Sequence, residues 1–111
     1  MKKIVIMLIV CILLVGCGSR DKSTLDEVLK SGNYIILDVR TNEEYSAGHV
    51  KDALNIPYDE IDDEVNLDKN KVILVYCKSG VRSSKALSTL KNLGYDVINL
   101  GAYDSITLEK E

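Results

Sequence analysis

The chain of 111 residues carries one histidine, three cysteines and one proline. It has no apolar run as long as the roughly 20 residues that cross a bilayer as a helix. The lone histidine, His49, and the absence of Cys or His at ligand spacing argue against a metal centre. His49 reads as a structural hydrogen-bonding residue instead. Acidic residues outnumber basic ones, 17 to 14, so the sequence offers nothing for nucleic acid to hold. No internal repeat, low-complexity tract or second domain boundary is visible, which leaves one domain with a modest core.

What is present begins with a leader. Met1-Lys2-Lys3 is a short basic start, and Ile4 to Val15 is an unbroken apolar run of twelve residues, the length of an export signal's core. The run ends in Leu14-Val15-Gly16-Cys17, which resembles the lipobox of bacterial lipoproteins, where the peptide is cut before a diacylglyceryl-bearing cysteine. The expected organisation is a signal peptide over 1–16, a lipidated Cys17 with a short polar tether to residue 23, and a folded domain over 24–111. The expected location is the extracytoplasmic side of the cell membrane. The tether reaches at most roughly 25 Å, so the lipid would hold the domain close to the surface. Without Lys2 and Lys3, 12 basic residues face 17 acidic ones, a net charge near −5, so anchoring rests on acyl chains rather than on anionic lipid. Cys11 leaves with the leader and Cys17 is acylated, so Cys77 is the one free thiol of an exported chain.

Beyond the tether, helical and apolar segments alternate. Thr24-Leu25-Asp26-Glu27 has capping-box spacing and opens a short helix stopped by Gly32. Tyr34 to Val39 is an apolar strand. Thr41-Asn42-Glu43-Glu44 repeats the capping-box spacing for a second helix closed by Gly48. Ala53 to Ile56 is a brief strand ended by Pro57. Asp59 to Asp68 reads as a helical turn or two with Ile61 and Val65 inward, the acids of Asp59 to Glu64 forming a solvated face. Val72 to Tyr76 is the most apolar strand. Arg82 to Leu93 sets Ala86, Leu87, Leu90 and Leu93 on one helical face before Gly94, and Val97 to Leu100 is the last strand. Such alternation predicts an α/β domain, a central mainly parallel sheet with helices on both faces.

In such folds ligands collect at the carboxyl ends of strands. Cys77 stands there, between the central strand and the amino end of a helix. A tight turn at that place points successive amides inward, and the helix dipole adds positive character, so the loop favours an anion. The anion the sequence supplies is the Cys77 thiolate, with an expected pKa below about 7. Gly80 permits the close backbone approach.

Leu37-Asp38-Val39-Arg40, Glu44-Tyr45, Gly48-His49-Val50, Ala53-Leu54-Asn55-Ile56-Pro57, Tyr76-Cys77-Lys78-Ser79-Gly80-Val81-Arg82-Ser83 and Asn99-Leu100-Gly101 together resemble a single-domain rhodanese, over roughly residues 24 to 106. The resemblance implies transfer of sulfane sulfur from thiosulfate or a related donor, with Cys77 as carrier and no cofactor. One departure stands near the end. The family often has two glycines and then a tryptophan, where this chain has Gly101-Ala102-Tyr103 and then Ile106, and looser packing of the C-terminus is expected there.

With that chemistry, the Cys77 thiolate attacks the donor's outer sulfur, expels sulfite and carries a persulfide until a thiol or cyanide-like acceptor removes the sulfur. Neither step needs a general base, in keeping with a loop that lacks histidine and carboxylate. Amides from Lys78 through Ser79, Gly80 and Val81 to Arg82 would hold the negative persulfide, and the Lys78 and Arg82 side chains could attract a small anionic donor. Arg82 has a structural ion pair as its other reading. Asp38 and Arg40 are expected to form a structural network with Glu44.

Two other classes fit a thiolate in an amide loop. Cysteine phosphatases have a loop one residue longer than the four residues between Cys77 and Arg82, and the smaller ring suits a sulfur atom better than a tetrahedral phosphate. A non-catalytic binding module or extracytoplasmic thiol redox sensor is the alternative that loop length leaves open. The chain is expected to act as a monomer.

Overall fold

The computed structural model describes residues 22–111, with side chains from residue 24. The expected signal peptide, the lipidation site Cys17 and the tether through residue 21 lie outside the described residues. In chain order the elements are α1 (Lys22–Ser31), β1 (Tyr34–Asp38), α2 (Asn42–Ala47), β2 (Leu54–Asn55), a 3-10 turn at Tyr58–Glu60, β3 (Val72–Cys77), α3 (Val81–Asn92), β4 (Asp96–Ala102) and a second 3-10 turn at Tyr103–Ser105. The four strands form one sheet in the order β2-β1-β3-β4, and every pairing is parallel.

Parallel strands in this order need a crossover between each pair, and the helices that make the crossovers seal both faces. Successive β3 side chains therefore enter two separate cores. Ile73, Val75 and Cys77 pack with Leu37, Val39, Val97, Ala86 and Leu90 beneath α3. Leu74 and Tyr76 pack with Ile36, Val50 and Ile98 on the face covered by Leu25, Val28 and Leu29 of α1. Leu37, Ile73, Leu74, Val75, Tyr76 and Cys77 have no exposed surface. Each such aliphatic side chain contributes on the order of 1.5–3 kcal/mol of burial free energy.

Several boundaries differ from expectation, each for a local reason. Helix α1 starts at Lys22, so Thr24 lies inside its first turn rather than at its cap. The capping box at Thr41 forms: Thr41 Oγ1 accepts from the Glu44 N–H at 3.2 Å, and the Glu44 carboxylate accepts from the Thr41 N–H at 3.0 Å. Only Leu54 and Asn55 of the expected 53–56 strand pair in the sheet. The expected helical turn or two within 59–68 is a single 3-10 turn at Tyr58–Glu60, and beyond it Asp62 and Asp68 each accept a 2.9 Å bond from the backbone two residues on, which competes with helical bonding. Ile61 is nonetheless buried and Val65 packs beside it.

Helix α3 begins one residue early, at Val81, and ends in a Schellman arrangement: Tyr95 N–H donates to Leu90 O, and Gly94 N–H, at φ 97°, to Lys91 O. Strand β4 runs on to Ala102 because a bulge at Leu100 resets the register, pairing Tyr76 with Gly101 and Cys77 with Ala102. The C-terminal segment is held rather than loosened. Its backbone pairs with the chain around Val50, with His49 and Glu111 exchanging bonds of 2.9 and 2.8 Å.

Candidate active site

The site is built by the end of β3 and the start of α3. Lys78 and Ser79 are exposed, and Gly80 turns the chain at φ 95°, a left-handed conformation that glycine adopts without steric cost. No side chain caps α3. Its amino end instead serves the Cys77 sulfur: the Gly80 N–H donates to Sγ at 2.9 Å, and the Ser83 hydroxyl lies 3.4 Å from Sγ on its other side. Ser83 also donates to Gly80 O at 3.1 Å, which ties the loop to the helix's first turn.

This cradle lowers the Cys77 pKa from its ordinary value. Burial of the thiol pushes it up, but hydrogen bonds from the Ser83 hydroxyl and from the N–H groups of Ser83, Gly80 and Ser79 outweigh that effect. Fixed donors cost no reorganisation when negative charge appears on sulfur.

Arg82 is partly buried, and its guanidinium is committed. Nη1 and Nη2 donate to the two carboxylate oxygens of Glu44 at 2.8 and 3.2 Å, a forked pair that bridges α2 and α3. Glu44 is itself gripped by the Thr41 backbone and hydroxyl, and its pKa falls to about 2, chiefly through the bond from Arg82. The Arg82 pKa is raised, first by Glu44 and in part by the nearby Cys77.

Behind the loop lies a second network. Asp38 is fully buried and receives Arg40 Nε at 2.9 and 3.0 Å, Arg40 Nη2 at 2.6 Å and the Tyr76 hydroxyl at 2.7 Å. Arg40 also donates to Gly48 O, and Tyr76 Oη accepts from the Val50 N–H at 3.0 Å. The expected grouping of Asp38 and Arg40 with Glu44 is therefore corrected: Tyr76 completes that network, and Glu44 serves Arg82. Tyr103 stacks on Tyr76 and lies 4.4 Å from the Arg40 guanidinium. His49 stacks on Tyr45 at 3.8 Å and bonds to Tyr45 O through Nδ1, a structural arrangement.

Of the sequence-predicted site, Cys77 and the backbone of Ser79 and Gly80 come together. Lys78 and Val81 lie exposed at the loop's outer side, Val81 with 61% of its surface free. Ser83 was missed, although it supplies the hydroxyl nearest the sulfur and has no exposed surface. Its signal was slight: a second serine, one turn into a helix, reads as polar surface. Among the described residues, no three Cys, His, Asp or Glu side chains group as metal ligands.

A parallel sheet that ends its central strand in one buried thiol, hydrogen-bonded by the loop before a helix, defines an α/β domain organised around a cysteine loop. Residues 21–108 match the model of the rhodanese-like domain, and the chain belongs to that family. It is 37% identical over 78 residues to the thiosulfate sulfurtransferase PspE of Escherichia coli, covering 67% of this chain and 75% of that one. It is 44% identical over 79 residues to the mitochondrial protein HIGH ARSENIC CONTENT 1 of Arabidopsis thaliana, covering 59% of this chain and 47% of the relative, so it spans about half of that protein's length. Among solved structures, a rhodanese with anions from E. coli superimposes with a TM-score of 0.64 at 36% identity, over 70% of this chain and 96% of the other.

Proposed function

We propose that this protein is a sulfurtransferase that moves sulfane sulfur from thiosulfate or a related donor to a thiol or cyanide-like acceptor through a Cys77 persulfide. The observation that carries the reading is the Cys77 sulfur seated on the Gly80 N–H at 2.9 Å, with Ser83 beside it. A thiolate there attacks the donor's outer sulfur. The Sγ–S bond forms as the donor's S–S bond breaks, and sulfite leaves with the electron pair. The loop amides then face a persulfide anion, which an acceptor thiolate or cyanide relieves of its outer sulfur, restoring the Cys77 thiolate. The first step leaves the fork between Arg82 and Glu44 intact, because no proton has to move.

The decisive experiment is intact mass after incubation with thiosulfate. One added sulfur on the wild-type chain, absent from Cys77→Ser and removed by cyanide, is the expected result. A folded wild-type protein that gains no sulfur, yet forms a sulfenic acid with peroxide, would leave the redox-sensor reading in its place. Phosphatase activity dependent on Cys77 would overturn the choice of sulfur over phosphate.

We further propose that the protein acts as a monomer anchored to the extracytoplasmic face of the membrane by lipid on Cys17, the reading supported by Leu14-Val15-Gly16-Cys17 after a twelve-residue apolar run. Labelling with a fatty-acid analogue should mark the wild type and spare Cys17→Ala. An unlabelled wild type refutes the anchor.

A further inference from the structure

The Arg82 side chain lies close enough to feel the charge on Cys77, yet both of its terminal nitrogens are spent on Glu44. Glu44 in turn is fixed from behind by Thr41, at 3.0 Å from the backbone N–H and 3.2 Å from the hydroxyl. The carboxylate is therefore preorganised, stays ionised far into acid and cancels the loop's own guanidinium.

The surroundings do little to replace that charge. Lys78 is exposed, and Lys85 holds its ammonium 5.8 Å over the Tyr58 ring. A dianionic donor thus meets a guanidinium already neutralised by its carboxylate partner.

Resting on the sulfurtransferase reading above, we infer that Glu44 is a positioning residue that sets the donor's charge: by holding Arg82, it turns the site toward singly charged sulfane donors of the organic thiosulfonate class and away from doubly charged thiosulfate. The chemistry is the same for both. With a thiosulfonate, the Cys77 thiolate forms the Sγ–S bond while the donor's S–S bond breaks, and a sulfinate leaves with the electron pair in place of sulfite. The donors differ by one negative charge at the atom that departs. Removing one negative charge from the protein therefore acts more strongly on thiosulfate.

The test compares kcat/KM for thiosulfate and for methanethiosulfonate, with cyanide as saturating acceptor, in wild type, Glu44→Gln and Glu44→Asp. Glu44→Gln should raise the thiosulfate-to-thiosulfonate ratio about fivefold, the effect of one added unit of positive charge on one extra negative charge across a partly screened site. The change should fall on KM for thiosulfate. Glu44→Asp keeps the charge and should keep the wild-type ratio. A merely structural Glu44 lowers use of both donors equally, and an unmoved ratio in a folded Glu44→Gln overturns the inference.

If Glu44→Gln does not fold, the wild type decides. Raising ionic strength from about 0.02 to 0.5 M should leave the wild-type ratio within about twofold, whereas a steep selective loss of thiosulfate use reveals an active cationic grip and overturns the inference. A wild type that uses neither donor refutes the sulfurtransferase reading itself, a result distinct from both.

Discussion

Tyr76→Phe removes one oxygen from the middle of the molecule, and the cost follows from what that oxygen does. Tyr76 is fully buried, and burial is the first cause holding its pKa above the ordinary value, so it remains a neutral hydroxyl that donates to Asp38 at 2.7 Å and accepts from Val50 N–H at 3.0 Å. Phenylalanine fills the same space with nothing to offer either group. The buried Val50 N–H is left unpaired, a cost of about 1–3 kcal/mol, and Asp38 loses a bond to a charged acceptor that is ordinarily worth about 1.5–3 kcal/mol. Arg40 still holds Asp38 by four hydrogen bonds, three from its guanidinium and one from its backbone N–H, so the second loss is blunted. A net loss of about 3 kcal/mol is expected, a large share of the roughly 5–15 kcal/mol that holds a domain together. At roughly 4–8 °C per kcal/mol for a domain of this size, the melting temperature should fall by about 15 °C. Denaturant unfolding read by circular dichroism measures the midpoint, with the slope unchanged. Asp38→Asn should couple to the change, the double variant losing less than the sum of the singles. A loss below about 1 kcal/mol would show that Val50 and Asp38 find other partners, and the argument from orphaned groups would fail.

Ser83→Ala removes a donor that stabilises the Cys77 thiolate, so the pH midpoint of iodoacetamide alkylation should move up toward that of an ordinary thiol; an unmoved midpoint would assign the lowering to the amides alone. The Cys77 folded-state pKa is depressed, so its linkage contributes stability above the unfolded pKa that is lost as pH falls through the folded one, and Ser83→Ala should narrow that window. Glu44 is also depressed, from 4.5 to about 2, so its stabilisation is present above pH 4.5 and disappears as pH falls toward 2. Acid titration of unfolding free energy should therefore flatten across that interval in Glu44→Gln, and an unchanged acid limb would mean that the fork contributes nothing to the fold.

How much of this was legible in the sequence depended on distance along the chain. The capping box at Thr41 and Glu44 was readable because both partners lie three residues apart. The apolar runs at Tyr34 and Val72 announced the two central strands because both of their faces are buried. The pairings that finish the site were not legible: Tyr76 with Asp38, and Arg82 with Glu44, each join residues 38 apart. Each of those residues had other charged or polar candidates, and only the strand order selects among them. The 59–68 segment was legible only as a helical turn or two, for the opposite reason. Its aspartates bond to their own backbone, a local competition that helical spacing of Ile61 and Val65 does not reveal. The continuation of β4 through Gly101 was hidden because a bulge has no residue signature beyond a glycine.

The alternation of β3 between two sealed cores places a rule of parity on the chain's evolution. Tyr76 and Cys77 are adjacent residues with opposite assignments, a hydrogen-bonded phenol in one core and the cradled thiol in the other. Inserting or deleting one residue within β3 would exchange them, sending the thiol toward α1 and the phenol toward the loop, and no side-chain substitution nearby would repair it. The outer strand β4 absorbs such an insertion at Leu100, because it has a neighbour on one side only. Strand β3 is bonded on both edges and has no such freedom. Loop lengths around the sheet, and the bulged rim, can change without exchanging these two side chains, whereas the count of residues from Val72 to Cys77 cannot.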